Sequence, residues 1–191
     1  MATDSYMFFK KYDGTLLEAE SQVDMSNNTE TLASDLVGYA KAGQLFEVQD
    51  YSFDTAQTFN MSSQSTGIGA GRITCNPFSI TRKIDRASPH LYEMSANGTA
   101  FQQVGLALRK SAGQQTAGVV FLRFDFKLVG VATLAWAHDE ESPKETVTFI
   151  YGAMFISCVR QLNSGALEST VHCRGWNQQK NVPDTSPTTA L

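Results

Sequence analysis

Val119-Val120-Phe121-Leu122-Arg123-Phe124-Asp125-Phe126-Lys127-Leu128-Val129 is the stretch that decides the fold. Val120, Leu122, Phe124, Phe126 and Leu128 alternate with Arg123, Asp125 and Lys127. Neighbouring side chains of a strand point to opposite faces, so this period of two predicts a strand with one buried and one wet face. The same rhythm runs from Phe101 to Lys110, with Val104, Leu106 and Leu108 inside and Gln103 and Arg109 outside. Phe78, Ile80 and Ile84 share a face in the stretch 72–85, while Tyr6 with Phe8 and Phe46 with Val48 mark two earlier strands. From Glu145 to Ile156 both faces carry apolar residues: Val147, Phe149 and Tyr151 on one, Ile150, Met154 and Ile156 on the other. Such a strand needs cover on both sides, from a helix or from another subunit.

Two segments read as helices. Ser88-Pro89-His90-Leu91 opens with a capping serine and a proline at the first turn, and Gly98 stops the helix after Leu91 and Met94 have been laid on one face. The second runs from Glu30 to Ala42, with Leu32, Leu36 and Tyr39 at helical spacing, Thr29 or Asn28 as cap and Gly43 as terminator. Gly38 weakens it by about 1 kcal/mol relative to alanine. Polar connections follow at Asn60–Gly71 and His138–Lys144, and the proline-containing end, Asn177 to Leu191, reads as a disordered tail. The expected architecture is mainly β, a β-barrel flanked by one short α-helix, since closing the sheet removes its edges.

Composition narrows the function classes. A chain of 191 residues with 42% hydrophobic and 18% charged residues can bury a real core. A net charge of -4, without a Lys/Arg run, argues against a nucleic-acid partner. The start, Met1-Ala2-Thr3-Asp4-Ser5-Tyr6, has no basic region followed by an apolar run, so no signal peptide is expected. No apolar run approaches the roughly 20 residues of a membrane-spanning helix, so membrane insertion is not expected either. Cys75, Cys158 and Cys173 are odd in number and widely spread, which reads as reduced thiols rather than a disulfide framework or zinc site.

Chemistry-bearing motifs are scarce. Gly67-Ile68-Gly69-Ala70-Gly71 precedes a strand and is spaced G-x-G-x-G, whereas a dinucleotide loop must follow a strand and open a helix. His138-Asp139-Glu140-Glu141 places four consecutive ligand atoms on a turn that does not converge them. His172-Cys173 has no partner at zinc spacing, and no G-x-S-x-G elbow occurs. His90 is a surface residue of the short helix, and the N-x-S/T triplets at Asn27, Asn60 and Asn97 are chance patterns without a secretory signal. The expectation is a protein without catalytic residues, cofactor or metal.

The run Arg72-Ile73-Thr74-Cys75-Asn76-Pro77-Phe78-Ser79-Ile80-Thr81-Arg82-Lys83-Ile84-Asp85-Arg86-Ala87-Ser88-Pro89-His90-Leu91 resembles the most characteristic stretch of the Hcp family, the haemolysin-coregulated proteins of the type VI secretion system. Val104–Lys110, Phe121–Val129 and Glu145–Gly152 are similar to the strands that follow in that family, and Tyr6–Gly14 to its first strand and turn. The resemblance covers Thr3 to Ser26 and Gln44 to Val159. It implies one Hcp-like β-barrel domain at 1–171, a 27–43 insertion that holds the second helix, and a flexible C-terminal tail at 172–191.

The implied function is that of an inner-tube subunit. Hexameric rings stack into a tube that a contractile sheath expels, with a spike protein at the tip and effector cargo in the lumen. Such a protein is assembled in the bacterial cytoplasm and secreted without a signal peptide. The alternatives are a tail-tube or binding module of a phage-like particle and an enzyme of unrecognised type, because fold alone does not fix function. Two groups are expected at subunit or ring contacts: Ser63, Gly67, Gly69 and Gly71 in a long loop, and Arg82, Lys83, Asp85 and Arg86 as bridging charges.

Overall fold

The structure, a computed structural model, describes residues 3–25, 32, 41–60, 69–110, 118–138, 142–162 and 167–185. In chain order the elements are β1 (Thr3–Lys10), β2 (Phe46–Glu47), β3 (Asp50–Ser52), β4 (Thr55–Ala56), β5 (Phe59–Asn60), β6 (Gly69–Ala70), β7 (Thr74–Cys75), β8 (Phe78–Lys83), α1 (Ser88–Asn97), β9 (Ala100–Lys110), β10 (Val119–His138), β11 (Pro143–Cys158), β12 (His172–Asn177) and β13 (Val182–Asp184). Nine strands form one antiparallel sheet in the order β13-β12-β11-β10-β9-β1-β2, with β8 on β11 and β3 on β8. The fold is mainly β with one helix as expected, but the pairing path runs open from β13 to β2 and does not close into a barrel. Residues 46–52 serve two neighbours: the Val48 N–H donates to the Ser5 carbonyl and the Gln49 N–H to the Thr81 carbonyl.

The alternation read from sequence fills the main core. Met7, Phe9, Phe78, Ile80, Val104, Leu106, Phe124, Phe126, Val147 and Phe149 are buried together, and Leu91 and Met94 of α1 plug the same core. Phe9 packs its ring on Phe46, Phe101 and Phe149, and Phe78 stacks on Phe126 at 4.6 Å. The pleat then slips at one level. Phe101 and Val104, Phe126 and Val129, and Tyr151 and Met154 each reach this core from positions three apart. That level holds Leu128, whose φ of 51° is a left-handed conformation inside a strand and reverses which side chains face inward.

The second face of β10 differs from expectation. Arg123, Asp125 and Lys127 are buried, as is Gln103 beside them on β9. Lys127 lies against the Phe155 ring at 4.7 Å, and beside Arg123 lies a second core. It joins Tyr6, Phe8, Ala107 and Val120 to Met25, Leu32, Leu45 and Val159, residues contributed by the connections before β2 and after β11. Gly105 makes room for one of its rings, since a Cβ there would lie 2.2 Å from Phe8; elsewhere on the sheet a Cβ on Gly175 would lie 2.2 Å from Phe155.

The chain end also differs. Residues 172–177, expected to begin a flexible tail, pair with β11 from Ala153 to Cys158, and residues 182–184 pair with β12. The second helix expected over Glu30–Ala42 lies outside the described residues except for Leu32, 41 and 42, which are not helical. Helix α1 is confirmed, with Gly98 in the left-handed conformation at its end. Its N-cap is Ala87 rather than Ser88, because the Ser88 hydroxyl is engaged elsewhere.

Candidate functional site

Strand β8 points Phe78, Ile80 and Arg82 inward, so the apolar face ends in a guanidinium. A buried charge is tolerated only when paired and hydrogen-bonded. Glu145 lies directly across the strand pair from Arg82, and its Oε2 accepts from Arg82 Nε at 2.9 Å and Nη2 at 2.7 Å. Asp85 accepts from Arg82 Nη1 at 2.8 Å, and the Ser88 hydroxyl donates to Glu145 Oε2 at 3.0 Å. Glu145 Oε1 accepts from the Trp136 indole N–H at 2.9 Å. The guanidinium also lies 5.0 Å from the centre of the Phe46 ring. One carboxylate thus ties β8, α1, β10 and β11 into a fixed corner.

The corner presents a surface. Lys83 and Arg86 are exposed beside it; the Arg86 guanidinium meets Glu18 at 3.5 Å, and its backbone N–H donates to Glu20 at 3.0 Å. A cleft of about 530 Å³ opens between Glu20, Glu47, Lys83 and Asp85. A second concavity of about 520 Å³, lined by Ile84, Pro89, Tyr92 and Trp136, adjoins it through Ile84 and Asp85. The Tyr92 and Trp136 rings lie 6.0 Å apart, and both are more than half exposed.

The charges expected at subunit contacts therefore divide. Arg82 is 1% exposed and bound within its own chain, and Asp85 is mostly spent on Arg82 and on the Ala87 N–H. Lys83 and Arg86 remain at the surface. Gly69 pairs with Asn60, and the Gly71 N–H donates to the Thr58 carbonyl, in a separate arm formed by β4 to β7. Ser63 and Gly67 lie outside the described residues. Among the described residues no hydrogen bond or ion pair joins the arm to the Arg82 corner. Sequence reasoning missed Glu145 and Trp136, which are 63 and 54 positions from Arg82 (145 − 82 and 136 − 82).

Among the described residues no group of three or more His, Cys, Asp and Glu side chains is placed to hold a metal. Burial pushes the Tyr151 phenol far above its ordinary range, and burial also raises the Cys75 thiol. Both changes favour the neutral forms and leave these groups poor nucleophiles. Among the described residues no helix is long and apolar enough to cross a membrane.

Comparison with known proteins gives a consistent result. The family model described as type VI secretion system effector, Hcp, matches residues 39–157. Protein hcp1 of Pseudomonas aeruginosa is 25% identical over 111 residues, 58% of this chain and 68% of that protein. A solved type six secretion system protein superposes with a TM-score of 0.75 at 20% identity, over 96% of this chain and 100% of the other. Hcp1 from Salmonella typhimurium superposes with a TM-score of 0.64 at 22% identity, over 96% and 100% of the two chains. At these identities the superpositions speak for the fold.

Proposed function

This chain belongs to the Hcp family of the type VI secretion system, and from that membership we propose that it is a structural subunit of the inner tube, assembling into hexameric rings that stack. The family match over 39–157 carries the proposal. Exposed apolar side chains support it: Ile150 is 56% exposed and Ile156 39% exposed on a strand whose remaining large apolar residues are mostly covered. A neighbouring subunit would bury them, and a ring of identical chains joins two different patches head to tail.

In this reading residues 46–52 close the sheet into a barrel by bridging β1 and β8, and the Hcp-like domain expected at 1–171 extends through β12 and β13. Lys83, Arg86, Gly69, Gly71, Ser63 and Gly67 contribute to subunit or ring contacts, while Arg82 and Asp85 hold the corner that presents them. A contractile sheath expels the stacked tube with a spike protein at its tip and effectors in the lumen. The protein leaves the bacterial cytoplasm by that route.

The test is the mass of the purified protein by light scattering coupled to size exclusion, with negative-stain images of the same peak. A particle near six times 20.9 kDa that appears as an open ring supports the reading. A monodisperse monomer over a wide concentration range would remove it.

A further inference from the structure

The arm formed by β4 to β7 is a two-stranded ribbon with a break in it. Thr55 and Ala56 pair with Cys75 and Thr74, and Phe59 and Asn60 pair with Ala70 and Gly69, but the two ladders are separate sheets. Residues 57–58 and 71–73 lie between them, outside any strand. There the Gly71 N–H donates to the Thr58 carbonyl at 2.9 Å, and the Gln57 side-chain amide donates to the Gly71 carbonyl. Thr55, Ala56, Thr58 and Phe59 are all exposed. A lone two-stranded ribbon is marginal in water, so a broken one bends at its break unless something outside holds it.

Arg72 stands at that break. Its Nη2 donates to the main-chain carbonyls of Gln178 and Gln179, across a concavity of about 410 Å³ that these three residues line with Leu128 and Gly152. Among the described residues no other hydrogen bond joins the arm to the rest of the chain. The receiving turn is itself fixed. Gln178 donates its backbone N–H to the Gly152 carbonyl at 3.0 Å and its side-chain amide to the Tyr151 carbonyl. The Lys180 N–H donates to Asn177 Oδ1 at 3.0 Å, and Asn177 is buried. The turn joins β12 to β13, beyond the residues 39–157 that the family model matches. A guanidinium is a rigid fork of donors, and hydrogen bonds from a cation are stronger than those between neutral groups.

We infer that Arg72 is a positioning residue that holds the arm at its break, so that the C-terminal hairpin of β12 and β13 sets the direction of β5 and β6. The inference rests on the reading above that the arm contributes to subunit or ring contacts, and it names what aims the arm.

The experiment is hydrogen exchange of the full chain, read by mass spectrometry on wild type, Arg72→Ala, Arg72→Lys and Arg174→Ala. Arg174 is an exposed arginine of β12 that bonds to the Cys173 carbonyl, so its removal controls for loss of charge. In Arg72→Ala, peptides covering 55–60 and 69–75 exchange about fivefold or more faster than in wild type, while peptides of β9 to β11 keep their rates. The concentration at which half the protein is assembled, read by light scattering, rises about fivefold in the same variant. Arg72→Lys keeps the charge without the fork and falls between the two. Arm peptides that exchange at the wild-type rate in Arg72→Ala overturn the inference, as does an equal acceleration in Arg174→Ala. Faster arm exchange with assembly unchanged overturns the positioning role. A wild-type protein that is a monomer at every concentration removes the ring reading, and arm exchange then decides by itself whether Arg72 holds the arm.

Discussion

The two halves of β10 invert the usual relation between polarity and burial. Residues 119–130 carry Arg123, Asp125 and Lys127, and all three are buried. Residues 131–138 carry no formal charge at neutral pH, and most of them face solvent. One strand thus buries its ions and exposes its apolar part. The inner half is explained inside the protomer: Asp125 Oδ1 accepts from Arg123 at 2.7 Å and from Gln103 at 3.1 Å, and Arg123 lies over the Phe8 ring at 6.0 Å. Among the described residues nothing accounts for the outer half in this way. The lesson is that the first half is finished by its own chain, and the second is consistent with completion by another.

The largest expected effect breaks the finished half. Asp125→Ala removes the buried carboxylate that accepts from Arg123 at 2.7 Å, and breaking such a buried pair costs about 3–5 kcal/mol. Urea denaturation should show the midpoint falling by the corresponding amount. A loss below about 1 kcal/mol would mean that water reaches Arg123 and that this face is not closed.

Gly105→Ala attacks the same half through packing. The new methyl would lie 2.2 and 2.5 Å from two Phe8 ring carbons, and Phe8 is 1% exposed with nowhere to retreat. Overpacking of this kind costs about 1–3 kcal/mol. A melt equal to wild type would show that the second core is loosely packed.

What could be read in the sequence divides along the same line. The inward residues of β9, β10 and β11 were legible because alternation is local, and the end of α1 was legible because Gly98 takes a φ of 70°. The burial of Arg123 was not, because Leu32 comes from a distant connection to meet it, nor was that of Lys127, which lies against the Phe155 ring of the neighbouring strand. Strand β12 escaped notice since His172-Cys173-Arg174-Gly175 has no apolar rhythm; pairing with β11 and the room at Gly175 for the Phe155 ring make it a strand. For the candidate surface, Arg82 to Arg86 stood out by charge. That Arg82 would be internal depended on Glu145, 63 positions away, which no local pattern reveals.

Trp136→Ala sharpens the contrast from the exposed half. The indole is 51% exposed, and its removal costs the buried Glu145 carboxylate one hydrogen bond, so the folded protomer should lose about 1–3 kcal/mol. Its effect should instead be read in the assembly, as loss of the ring-sized peak in light scattering at concentrations where wild type is assembled. A large drop in thermal stability with assembly intact would reverse the assignment and make Trp136 a core residue of the protomer.

The smallest effect is a difference in slope. Desolvation holds the Lys127 ammonium below the ordinary lysine value of 10.5, against the opposing pull of Asp184 and Asp125. The folded state therefore binds this proton less tightly than the unfolded chain, so between the lowered value and 10.5 the unfolded chain holds more protons. Stability attributable to Lys127 then rises as pH climbs through that window. Lys127→Met removes the titration together with the contact of the ammonium to the Phe155 ring at 4.7 Å. Tyr6 and Tyr151, whose raised phenols pull stability the other way at high pH, are common to both proteins and cancel in the difference. Urea midpoints measured from neutral pH to about 10 should show wild type gaining on the variant as pH rises. A constant difference would mean that Lys127 titrates as it does in water, and the charged half of β10 would then be less dry than its burial indicates.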